Sequence, residues 1–205
     1  MAGFVSAGLF SSLLQLPRAA FVAAHALVAS AFLACYVKLT HIHVRAEAGR
    51  RWRRGLLAGV VLGVALVRGV RMQPSSAAPS GGALTASIAW FGLIYGMADA
   101  LLLNVVPAHI VLPSSTNGRA GSGGKTLTVS AAALAASLLV TAAYHLGFAE
   151  FRGPALLQPL IGNAIITAGY LATGSPLAAI VSHVIMHVAA VMHGMESTVQ
   201  LPPHY

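Results

Sequence analysis

Ala83–Leu112 reads ALTASIAWFGLIYGMADALLLNVVPAHIVL. The run is longer than the ~20 apolar residues that carry a helix across a bilayer. One acid, Asp99, lies near its middle, and Asn104 follows on the same helix. Pro107 has no amide hydrogen, so the carbonyl of Leu103 loses its helical partner. The stretch predicts a membrane helix with a polar, kinked centre.

Composition extends that reading to the whole chain. Of 205 residues, 57% are hydrophobic and only 8% are charged, and mean hydropathy is +0.79. A soluble domain carries about 25% charge, so this chain cannot cover a water-facing surface. Disorder is excluded on the same ground. The single cysteine, Cys35, excludes a disulfide scaffold. Expected is an all-α, polytopic transmembrane helix bundle. Its six spans are Ala19–Val37, Gly55–Val70, Ala83–Leu112, Thr126–Phe148, Leu156–Ala172 and Leu177–Val191, with a short apolar N-terminal segment, Ala2–Leu16, before them. The organisation reads as an N-terminal membrane segment over 1–82, a four-helix membrane core over 83–194 and an irregular tail over 195–205.

Charge sets the orientation. Twelve Lys+Arg stand against four Asp+Glu. Six of the twelve lie between Lys38 and Arg54, and Arg119 and Lys125 add two more in the loop Pro113–Lys125. Positive residues collect on the cytoplasmic side and meet anionic lipid headgroups. Both loops are therefore expected in the cytoplasm, at the plasma membrane. No soluble module remains to bind nucleic acid. Gly121–Thr126 imitates a phosphate-binding loop, but Arg119 stands where that pattern needs glycine and no strand precedes it, so the segment reads as a linker.

Small residues predict close packing. Gly55, Gly59 and Gly63 form two GxxxG steps, and Gly92 and Gly96 a third. Such steps let helix backbones approach in lipid, and they read here as faces for protein partners in a membrane complex.

An ionisable group at the bilayer centre costs ~2.5–3.5 kcal/mol, so each one needs a reason. Nine histidines are many for this length. His25, His41, His43, His109 and His204 read as ordinary, and His193 points away from the rest. His145 closes the fourth span, and His183 and His187 share one face of the sixth at i, i+4. With Asp99 they are the parts of a metal-assisted or general-base site, a proton path or a haem pocket.

These residues also carry a resemblance. Leu138–His145 reads LLVTAAYH, and His183-x3-His187 follows on the last span. The order is similar to the CAAX protease and bacteriocin-processing (CPBP) family of intramembrane metalloprotease-like proteins. That family has Glu-Glu-x3-Arg, then Phe-x3-His, then His-x3-Asn. The resemblance covers roughly Ala83–Gly194. Thr141 stands in place of Phe, and His187 in place of Asn. The first motif is degenerate: Asp99 is the one carboxylate, and Leu103 or Asn104 occupies the Arg position. The resemblance implies a catalytic set of Asp99, His145, His183 and His187, with His145, His183 and His187 holding a divalent metal such as zinc where one is bound. The missing acid and Arg favour a non-catalytic scaffold or accessory subunit over an intramembrane metallopeptidase. A haem or metal carrier is the weakest of the three readings.

Orientation is open to direct test. In a Cys35→Ser background, single cysteines placed beside Arg51 and beside Gly121 should react with an impermeant maleimide only from the cytoplasmic side. Labelling of either from outside would reverse the bundle.

Overall fold

The structure is a computed structural model that describes residues 7–112 and 123–202. The loop over 113–122, with its charge at Arg119, and the residues around His204 lie outside the described residues. The described residues form helices joined by turns and irregular chain and contain no strand. In chain order the helices are α1 (Ala7–Leu13), α2 (Arg18–Thr40), α3 (Val44–Gly49), α4 (Trp52–Arg71), α5 (Gly81–Val111), α6 (Gly123–Leu146), α7 (Leu157–Thr173) and α8 (Leu177–His193). Five segments are long and apolar enough to cross a membrane: α2, α5, α6, α7 with its leading turn from Pro154, and α8 with Pro176. The sixth expected span, α4, falls outside that set because Arg53, Arg54, Arg68 and Arg71 crowd its ends.

Boundaries shift for local reasons. The basic loop is not irregular: α3 forms within it, and the left-handed residues His41 and Arg51 turn the chain on either side. The segment read as a linker at Gly121–Thr126 is helical from Gly123. Of the N-terminal segment, Ala7–Leu13 is too short to span. It folds onto the end of α6, where Ser12 Oγ donates to the Gly147 carbonyl at 2.5 Å and Ala7 is buried.

α8 is the centre of the bundle. α4 runs parallel to it: Gly55 meets Ser175 and Leu177, Gly59 meets Val181, and Gly63 meets Ile185. α5 runs antiparallel to it on another side, with Gly92 against Val188 and Gly96 against His187. The glycine faces read as docking surfaces are thus filled by the chain's own last helix. Side chains pointing outward, such as Leu57, Leu139 and Ile161, are exposed, as lipid contact requires.

The two ends of the bundle are distinct. At the basic end Arg51 Nη1 donates to the Thr173 carbonyl at 3.4 Å, beside the left-handed turn at Gly174. At the far end Arg18 Nε donates to the Pro202 carbonyl at 2.7 Å, and His193 Nε2 donates to the Gln73 carbonyl at 2.9 Å. α4 therefore runs from the basic end to the far end.

A β-carbon at Gly59 would lie 2.7 Å from the Val181 β-carbon and 3.1 Å from the carbonyls of Leu177 and Ala178. Relief requires backbone to move. Gly59→Leu should therefore cost ~1–3 kcal/mol or more, and more than Leu62→Ala, whose half-buried side chain rests against Gly169. Thermal unfolding of both variants in detergent measures the order. Equal melting would show that the α4–α8 contact is loose.

Candidate functional site

Asp99 sits in a single tight turn, Gly96–Asp99, between two stretches where α5 widens to i→i+5 bonding, Ile88–Tyr95 and Ala100–Val105. Wide turns of this kind recur at functional sites. The second one absorbs Pro107 without breaking the helix. The carbonyl that the proline frees, Leu103 O, accepts a hydrogen bond from Ser137 Oγ of α6 at 2.6 Å.

Gly96 brings the imidazole in. A β-carbon there would lie 3.3 Å from His187, so α8 approaches α5 at that point. One helical turn further on, the Asp99 carboxylate receives the ring: His187 Nε2 lies 3.8 Å from Oδ2. A second imidazole, His25 of α2, lies 3.5 Å from Oδ1. All three side chains are buried. These separations are in ion-pair range and longer than a hydrogen bond.

His25 was read as ordinary from the sequence, and that reading is corrected. It is 1% exposed, stacks on Phe21, meets Tyr95 edge-on and lies tilted against Tyr144. It is one histidine of an otherwise apolar helix, and nothing in its own spacing pairs it with Asp99.

His183 and His187 do share a face, with ring centres 5.6 Å apart and planes at 16°. They do not share an acceptor. His183 turns to α7, where its Nε2 lies 3.3 Å from Asn163 Oδ1. Asn163 Nδ2 donates to the Pro159 carbonyl, which identifies Oδ1 as an acceptor and puts the His183 proton on Nε2. Asn104 also belongs to this layer and not to Asp99: its Nδ2 donates to Asn163 Oδ1 at 2.9 Å and to Thr167 Oγ1 at 2.8 Å. Ser137 has given its proton to Leu103, so across the 2.8 Å between them Thr167 donates to Ser137. Asn163, Thr167, Ser137, Tyr95 and Tyr144 had no signal in the sequence beyond being polar residues inside spans.

His145 stands in the last turn of α6, and its Nδ1 donates to the Thr141 carbonyl at 2.9 Å. The sequence places it nearer the membrane surface than Asp99. A cavity of about 300 Å³ bridges that difference in depth. Asp99, His183 and His187 line its inner part together with Tyr95 and Asn163, and His145, Phe148 and Phe151 line it toward the far end. All four residues of the expected set border this one space.

The hydrogen-bond pattern gives the site a common sense of direction. His145 Nδ1, His183 Nε2 and His187 Nε2 are all turned to protein acceptors. In a neutral ring the other nitrogen then carries a lone pair. Nδ1 of His183 and of His187 are buried with no protein partner. The expected ligand set is not assembled: among the described residues no three His, Cys, Asp or Glu side chains gather closely enough to hold one metal ion. His145 makes its hydrogen bond within its own helix, and the Asp99 carboxylate lies between His187 and His25.

Comparison with protein-family models, with curated proteins and with solved structures finds no match to this chain. The CPBP resemblance rests on the sequence motifs.

The amide layer makes its own prediction. Asn163→Ala strips partners from both Asn104 and His183, and a buried polar group left unpaired costs about 1–3 kcal/mol. Ser137→Ala leaves the Leu103 carbonyl and the Thr167 hydroxyl short of one bond each. Both should melt below the parent in detergent, Asn163→Ala lower. No change in either would mean that water satisfies the layer equally well.

Proposed function

We propose that the chain is a six-span membrane hydrolase with a CPBP-like core, working without an assembled metal centre on an amide or ester that enters the cavity. What carries the reading is the pairing of Asp99 with His187 at the wall of a cavity, His187 keeping Nδ1 free of any protein partner. A carboxylate behind an imidazole orients the ring and stabilises its protonated form, which makes the opposite nitrogen a general base. His187 Nδ1 is buried, so the site must first open to water; a water at that nitrogen then gives up its proton to it as the water oxygen attacks the carbonyl carbon. The tetrahedral intermediate collapses by breaking the bond to the leaving nitrogen or oxygen, which takes the proton back from His187. The Tyr95 and Tyr144 hydroxyls, 2.8 Å apart, share a hydrogen bond beside Asp99 and help to hold the acid in place. His25 holds the far oxygen of Asp99. In this reading α4 crosses beside α8 as a sixth span, with the basic loops in the cytoplasm and the cavity in the opposite half of a plasma membrane.

The non-catalytic scaffold is the second reading. The absent second acid and Arg favour it, as do contacts to Asp99 that exceed hydrogen-bond length. The filling of the glycine faces within the chain weighs against it.

Purified protein in liposomes, offered a quenched fluorescent library of membrane-embedded peptides and esters, separates the two. Hydrolysis requires turnover by the parent and a fall of about 10²–10⁴-fold in kcat for Asp99→Asn and His187→Gln in folded protein. A folded parent inert on the whole library, with Asp99→Asn merely lowering its melting temperature, would establish the scaffold.

A further inference from the structure

The cavity described above opens sideways past the exposed Ile161 and Ile165 of α7, and its wall is not made by helices alone. At the far end its wall is completed by Val199, Gln200, Leu201 and Pro202, which belong to the turns after α8. We propose that residues 194–202 are a lid, hinged at Gly194 and latched by Gln73 and Arg18, whose opening admits water and ligand to the cavity. The proposal rests on the reading of that cavity as a site.

Three observations carry it. The first is the hinge. Gly194 has φ +139°, which other residues rarely adopt, and a β-carbon there would run into Ser76. The chain leaves α8 at this point in a direction that only glycine permits. The second is the apolar stopper. Leu201 is 4% exposed although it lies in irregular chain, and it packs into the same cluster as Tyr95, Tyr144 and Phe148 beside the cavity. The third is the latch. Gln73 Oε1 accepts the Val199 amide at 2.9 Å, Gln73 Nε2 donates to Gln200 Oε1 at 2.9 Å, and Arg18 Nε donates to the Pro202 carbonyl at 2.7 Å. Ser76 Oγ accepts the Glu196 amide at 3.1 Å. Beyond the hinge, these bonds tie the segment to the start of α2 and to the α4–α5 connection.

Such a segment can open without disturbing the bundle. It is held by single hydrogen bonds and a few apolar side chains, Met195, Leu201 and Pro202, whereas α8 is gripped along its length by two glycine faces. Local openings come from elements with few buried contacts. Moving it aside would leave the helices, and the Asp99–His187 pair, where they are.

Access can be read without any catalytic assay. In a Cys35→Ser background, Met186→Cys places a thiol on the cavity wall. Its rate of reaction with a water-soluble methanethiosulfonate reports opening. In detergent-solubilised full-length protein, adding Gln73→Ala with Arg18→Gln should raise that rate at least tenfold. A chain ended after Thr198 should match or exceed it. Rates within twofold of the parent, in variants whose thermal melts show them folded, would overturn the lid. Hydrogen exchange on the unmodified chain decides independently of any variant's folding. The Val199 and Leu201 amides should exchange at least 100-fold faster than those of Val184–Val188. Exchange of both at one common rate would make the tail a fixed part of the wall. A lid that opens over an inert cavity would leave this inference standing and end the hydrolase reading. A closed wall over an active site would do the reverse.

Discussion

Everything in this bundle depends on how closely two helices approach α8. In lipid, burying an apolar side chain gains little, because the tails it leaves are as apolar as the protein it joins. What remains is close contact of backbones and the hydrogen bonds that contact permits. Gly55, Gly59 and Gly63 of α4, and Gly92 and Gly96 of α5, supply that contact from two sides. The approach at Gly96 is also what sets His187 beside Asp99. The same step that packs the bundle assembles the acid–base pair, so packing and chemistry here are a single constraint.

That coupling explains what could be read in advance. The helices were legible because hydropathy is a property of each segment by itself, and so were the glycine steps, since GxxxG is local. Their partner was not. A glycine face states that something will come close without saying what, and the reading of it as a surface for another protein gave way to α8. The gap at Leu103 was likewise legible from Pro107, but the Ser137 hydroxyl that fills it comes from another helix. His25 marks the same limit. Its cost in a membrane was visible, its compensation by Asp99 was not, because the pairing is made by the fold and not by spacing. α4 failed the simple criterion of an apolar span for the opposite reason: its ends are charged, while its glycine face ties it to α8.

The site's polar groups divide into two layers, and the division has consequences. Asn104, Thr167, Ser137 and the Leu103 carbonyl form a chain in which nearly every proton has an assigned acceptor. A hydrogen-bonded network of neutral groups is rigid and specific, and here Asn104 Oδ1 is the one member buried without a protein partner. Asp99, His25, His187 and His183 are different. Their separations are longer, and ring nitrogens of His183 and His187 have no protein partner. Asn163 is the joint between the layers, since its carbonyl oxygen takes Asn104 on one side and His183 on the other.

A protein with no use for the second layer would be expected to lose it. One acid and three imidazoles in a membrane interior each carry a penalty, and an apolar set of similar volume would pack α2, α5 and α8 as well. The neutral layer already fixes the register of α5, α6 and α7. The charge-capable layer adds little to that register and leaves buried ring nitrogens of His183 and His187 without a protein partner. Its arrangement follows a rule that packing does not require: His145, His183 and His187 each turn one nitrogen to the protein, and each borders the same space. Three rings from two helices are anchored by a backbone carbonyl, an amide and a carboxylate, and all three rings border that space. The cavity is therefore the feature the ionisable residues have in common, and it is the reason for reading them as a site.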